Sequence, residues 1–131
     1  MEFIWTTDLS SNNYKDAVKI RKKVFVEEQL VPPELEIDDL EDQTQHVIGY
    51  LENKAVSTAR IYKKNTSTFK IQRVAVLMDF RKMNLGHELM LEIERFARTK
   101  KFNTLMLDAQ DHALTFYEKL GYQVEGEGFM D

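Results

Sequence analysis

Arg73-Val74-Ala75-Val76-Leu77-Met78-Asp79-Phe80-Arg81-Lys82-Met83-Asn84-Leu85-Gly86 is the stretch that organises this chain. Its first half, with Phe69 and Ile71 before it, has the β-branched and aromatic residues of a buried strand over 69–77. A short basic loop follows. From Leu85 the period changes, since Leu85, Leu89, Ile93, Phe96 and Ala97 recur at spacings of three and four, placing one apolar stripe on a helix that ends near Lys101. A strand that passes through a loop straight into a helix presents first-turn N–H groups without helical partners. They lie at the positive end of the macrodipole, which suits a phosphate. Asn84 tolerates the positive φ of a tight loop, Gly86 lets backbone approach a ligand closely, and Arg81 and Lys82 add charge. The plainer alternative is a surface helix capped by Asn84 beside two solvated cations. The loop lacks a Gly-Lys pair followed by Ser or Thr, so it is not a nucleotide P-loop, and its spacing is not a dinucleotide fingerprint.

Upstream, Glu2 to Thr6 reads as a first strand, and Ser10 to Asn13 offers caps for a helix over 12–28 that carries Tyr14, Ala17, Val18, Arg21, Val24 and Phe25 on one side. Pro32 and Pro33 close off that helix. An acidic run from Glu34 to Asp42 leads into a strand over 46–51. Glu52-Asn53-Lys54 then turns the chain back into a strand over 55–62, with a polar turn at 63–67. Downstream, 104–109 reads as a strand and 111–120 as a helix closed by Gly121, with a last strand from Tyr122. The order implies an α+β domain with a mixed sheet, occupying 1–131 as one unit.

The 131 residues carry a net charge of -4, which disfavours nucleic acid and anionic membranes as partners. No run approaches the roughly 20 apolar residues of a membrane span, and MEFIWTTDLS lacks the features of a signal peptide, so a cytoplasmic location is expected. With no cysteine, disulfides, thiolate ligands and a cysteine nucleophile are excluded.

Two clusters in this order resemble the GNAT superfamily of N-acetyltransferases. Arg81-Lys82-Met83-Asn84-Leu85-Gly86 is similar to its coenzyme signature, departing only in having Asn84 for the first glycine, and Phe116-Tyr117-Glu118-Lys119-Leu120-Gly121-Tyr122 is similar to its C-terminal helix. Arg21 to Gln29, the acidic loop and His46 resemble the ElaA-type branch, so the likeness spans nearly the whole chain. It implies a mixed, mostly antiparallel sheet flanked by helices, with a splay between two central parallel strands. It also implies acetyl-CoA as cosubstrate, no metal, and a primary amine on a small molecule or peptide as acceptor. The pantetheine arm would pair with the backbone of Val74 and Val76. The diphosphate would lie over Arg81, Lys82, Met83, Asn84, Leu85 and Gly86, with Gln110 near the splay and Tyr117 both touching the coenzyme and protonating the leaving thiolate.

Some family members carry a glutamate base where this chain has Lys70, which leaves His46, Glu28 and Asp38 as candidates for that role; His87 and His112 read as surface helix residues. The acidic run is either a solvated loop or an attractor for a cationic acceptor. The branch usually adds a strand beyond the equivalent of Gly128 to Asp131, so a wall of the acceptor pocket is expected to be missing or supplied by a partner molecule, and a homodimer is a further expectation. The competing expectation is a coenzyme-binding or interaction module without turnover.

Overall fold

The computed structural model describes residues 1–32 and 44–107. Strands β1 (Glu2–Thr6), β2 (Gln45–Leu51), β3 (Lys54–Asn65), β4 (Thr68–Val76) and β5 (Thr104–Leu107) form one sheet in sequence order. The first four are antiparallel to their neighbours, while β4 and β5 run parallel, from Thr68↔Thr104 to Ile71↔Leu107. This is the mixed α+β sheet expected from the sequence. The helix and strand anticipated over 111–120 and after Tyr122 lie outside the described residues.

Side chains alternate across the sheet, so one residue's neighbour in the strand faces the other way. Val47, Ala59, Ile61, Phe69 and Ile71 face helix α2 (Leu85–Thr99) and meet its Leu89, Met90, Ile93, Phe96 and Ala97. Ile48 and Ala75 face helix α1 (Asn12–Arg21) and meet Ala17, Ile20 and, beyond the helix, Val24. Burying one such aliphatic side chain contributes about 1.5–3 kcal/mol, so the two apolar stripes clamp the sheet between its helices.

Local chemistry explains the boundaries. Ser11 caps α1 by accepting the Tyr14 N–H at 3.1 Å. Tyr50 ties α1 to β2: its hydroxyl donates to Asp16 Oδ2 at 2.7 Å and accepts from Asn13 Nδ2 at 2.9 Å, and burial together with the Asp16 carboxylate raises its pKa above the ordinary phenol value. Glu52 and Asn53, at φ of 50° and 70°, form the two-residue reversal between Leu51 and Lys54 that matches the twist of a hairpin. The polar turn expected over 63–67 is tighter than that. β3 continues to Asn65 and only Thr66 and Ser67 turn, with Asn65 Oδ1 accepting the Ser67 N–H at 2.9 Å. At the other end of α2, Lys101 takes φ 64°, the Lys101 N–H donates to Arg98 C=O at 2.9 Å, and Phe102 N–H donates to Ala97 C=O at 2.9 Å. That is a Schellman closure, with lysine where glycine is usual.

The helix expected over 12–28 is two segments. Regular α geometry ends at Arg21, and Lys22–Glu28 forms a π-helical turn in which Gln29 N–H reaches Val24 C=O at 3.2 Å. Val24, Phe25 and Val26 are consecutive bulky residues that lose rotamer freedom in an α-helix, and the wider turn keeps Val24 buried against the sheet.

Candidate functional site

β4 carries a bulge. The register steps from Arg60↔Gln72 to Thr58↔Ala75, so Ala59 faces both Arg73 and Val74, and Arg73 adopts φ 56°. The strand bends there and ends at Val76. Leu77 N–H then anchors to Val56 C=O at 2.9 Å, and Met78–Phe80 forms a single 3₁₀ turn.

The loop beyond reverses through two left-handed residues, Lys82 at φ 69° and Asn84 at φ 65°. Asn84 precedes the helix without giving a side-chain capping bond, so its contribution is backbone conformation, and the plain capped-helix alternative does not describe it. The first intrahelical bond is Glu88 N–H to Asn84 C=O at 3.2 Å. The amides of Leu85, Gly86 and His87 therefore precede the helical ladder, at the positive end of the 15-residue α2. Arg81, Lys82, Met83 and Asn84 are exposed, Gly86 is half-buried, and Leu85 is tucked into the core, which fixes where the turn starts.

Arg81 does not aim its charge at this mouth as the sequence suggested. Its Nε donates to Val76 C=O at 2.9 Å, and its two terminal nitrogens hold both oxygens of Glu28 at 3.1 and 2.7 Å. The guanidinium is neutralised by a carboxylate, and the same contact takes Glu28 away from any role as a base. Lys82 is the cation left at the loop.

A model of the acetyltransferase (GNAT) domain matches residues 8–131. The chain belongs to the GNAT acetyltransferase family. Among its relatives, the uncharacterized N-acetyltransferase YjcF of Bacillus subtilis is 37% identical over 113 residues, covering 86% of this chain and 80% of its own. The crystal structure of Escherichia coli ElaA superposes with a TM-score of 0.84 at 25% identity, covering 99% of this chain and 93% of its own. Tetrahymena GCN5 shares the fold with a TM-score of 0.83 at 15% identity, covering 98% of this chain and 82% of its own. The GNAT assignment makes the chain an enzyme, an acetyltransferase.

Within this GNAT domain, the described structure brings Val74, Val76, Arg81, Lys82, Met83, Asn84, Leu85 and Gly86 into one strand-loop-helix unit. Gln110, Tyr117, Asp38, His112 and the acidic run lie outside the described residues. His46 is a packed residue: it is 1% exposed, shares a 2.8 Å hydrogen bond with Thr44 Oγ1, and meets Tyr14 edge-on. His87 is half-buried on α2, and Lys70 lies on β4 opposite Tyr62 and Met106. Beside His46 is a polar cluster that the sequence did not single out. Arg60 is fully buried and donates Nε and Nη2 to Gln72 Oε1 at 3.1 and 2.7 Å, and Arg21 is buried as well. Alternation placed Arg60 and Gln72 on one face, but only the assembled sheet shows that the face is covered. Among the described residues no group of His, Cys, Asp and Glu could hold a metal, and no helix is long and apolar enough to cross a membrane.

Proposed function

We propose that this enzyme moves an acetyl group from acetyl-CoA to a primary amine by direct attack, without a metal. The observation that carries the reading is the mouth of α2. Two left-handed residues, Lys82 and Asn84, turn the chain into α2, so that its first-turn amides stand at the positive end of the helix beside an exposed lysine, an arrangement that suits a diphosphate. When bound, acetyl-CoA supplies a thioester whose C–S bond breaks as the acceptor's C–N bond forms. The placement of the pantetheine arm on the backbone of Val74 and Val76 is supported by the pairing of β4 with β5, which among the described residues runs only to Ile71↔Leu107 while β4 continues to Val76. Met83, Leu85 and Gly86 contribute their backbone to the diphosphate turn, and Gln110 is assigned a polar contact to coenzyme or acceptor.

Tyr117 protonates the departing sulfur. A phenol with an ordinary pKa of about 10 meets a thiolate near 8.5, so the transfer requires a tuned or relayed proton. The amine arrives as an ammonium and loses its proton to water or a nearby base. The acceptor is a small molecule or a peptide, and the enzyme works in the cytoplasm.

Addition of acetyl-CoA should raise the melting temperature of the protein, by mass action on the folded state. No rise at millimolar ligand would defeat the reading. Thiol release across polyamines, aminosugars and N-terminal peptides then separates an enzyme from a silent binding module.

A further inference from the structure

The end of β4 and a turn distant in sequence meet at one guanidinium. Arg81 Nε donates to the last carbonyl of β4, Val76 C=O, at 2.9 Å, while its other two nitrogens grip Glu28 in a fork at 3.1 and 2.7 Å. Glu28 is the final residue of the π-helical turn, 53 positions away from Arg81 in the chain. The side chains are 41% and 23% exposed, so as a source of stability this pair is weak. As a geometric device it is not, because a planar fork held at both ends fixes the residue that carries it. That residue opens the loop. Arg81 is followed by Lys82 at φ 69° and Asn84 at φ 65°, and α2 begins directly after Asn84.

We infer that Glu28 is a positioning residue for coenzyme binding: through Arg81 it sets the aim of the amides at the mouth of α2. The inference rests on the reading of that mouth as the diphosphate site. Lys22–Glu28 is wound as a π-helix, and the wide turn carries the Glu28 carboxylate to the loop. This assigns the π segment a task that its buried Val24 does not explain.

The test needs no acceptor. Binding of coenzyme A is measured by titration calorimetry for the wild type, Glu28→Ala, Arg81→Ala, Arg81→Lys and the double variant Glu28→Ala/Arg81→Ala. Each single variant should weaken binding roughly fivefold to tenfold, with the double no weaker than the worse single, because the two side chains act as one unit. Arg81→Lys should behave like Arg81→Ala, since an ammonium cannot span Val76 and Glu28 together. The ligand-free melting temperature should barely move, whereas the amide resonances of 82–86 should shift in Glu28→Ala. If coenzyme A binds Glu28→Ala as tightly as the wild type, or if Arg81→Lys keeps full affinity, positioning is overturned and the functional reading stands. If the wild type itself does not bind, both fall.

Discussion

Replacing Asn84 separates two accounts of the loop that differ in sign for different substitutions. Asn84 has φ 65° and ψ 17°, and its side chain caps nothing. An ordinary residue with a Cβ in this region costs about 1–2 kcal/mol, and asparagine recovers part of that. Asn84→Ala should therefore destabilise the fold by about 0.5–1 kcal/mol. For a chain of this length, unfolding entropy scales to roughly 0.28 kcal/mol/K, so the melting temperature should fall by about 2–4 °C. Asn84→Gly removes the Cβ strain and adds freedom to the unfolded chain, leaving stability within about 0.5 kcal/mol of the wild type. Asn84→Ser is the deciding variant. Serine is a good cap but a poor left-handed residue, so it should resemble alanine if backbone conformation governs and asparagine if capping does. Urea unfolding of the three variants measures this. A stable Ser variant together with a Gly variant as weak as Ala would refute the backbone account and restore Asn84 as a cap.

Four further outcomes follow from other sites. Lys101→Gly should stabilise the protein by about 0.5–1 kcal/mol, because the left-handed residue of the Schellman closure then carries no Cβ; thermal unfolding reads it. Glu92→Gln should cost about 1 kcal/mol at neutral pH. The Arg95 hydrogen bonds, with Trp5 assisting against partial burial, hold the Glu92 carboxyl below the ordinary carboxylate range, so this stability is present above the unfolded value of about 4.3 and fades as pH falls through the folded one. Wild type and variant should then converge in acid, and a gap that persists there would contradict the linkage. Gly49→Ala should destabilise by about 1–3 kcal/mol, since its Cβ would meet Ser57 Oγ at 2.3 Å. The Ser57 hydroxyl is buried without a hydrogen-bond partner, so adding Ser57→Ala should recover part of the loss in denaturant titrations. Tyr117→Phe should lower turnover while nearly preserving coenzyme affinity, and unchanged thiol release would remove the phenol from the mechanism.

Periodicity carried the legible part of this fold. The stripe Leu85, Leu89, Ile93, Phe96 and Ala97 is the buried face of α2, joined only by Met90, and β1 spans the residues that composition marked. The loop was legible because Asn84 can adopt a conformation that most residues resist. The bulge at Arg73 was not, since nothing in Gln-Arg-Val announces an extra residue; it appears only when β3 supplies one partner for two. The direction of Arg81 was hidden for a similar reason. A cation in a loop reads as solvated until its carboxylate, delivered by a distant turn, is in place. Arg60 and Gln72 look like strand surface until the sheet closes over them.

Trp5 is the only tryptophan in the chain. Its indole lies flat on Phe96 at 3.8 Å between centroids, and its N–H reaches Glu92 at 2.8 Å. Both partners belong to α2, the helix whose opposite end is the proposed ligand mouth. The enzyme thus contains an intrinsic optical gauge. Light absorbed selectively by that one fluorophore reports how firmly the helix is seated, so ligand-induced shifts in its docking can be followed without attaching a dye.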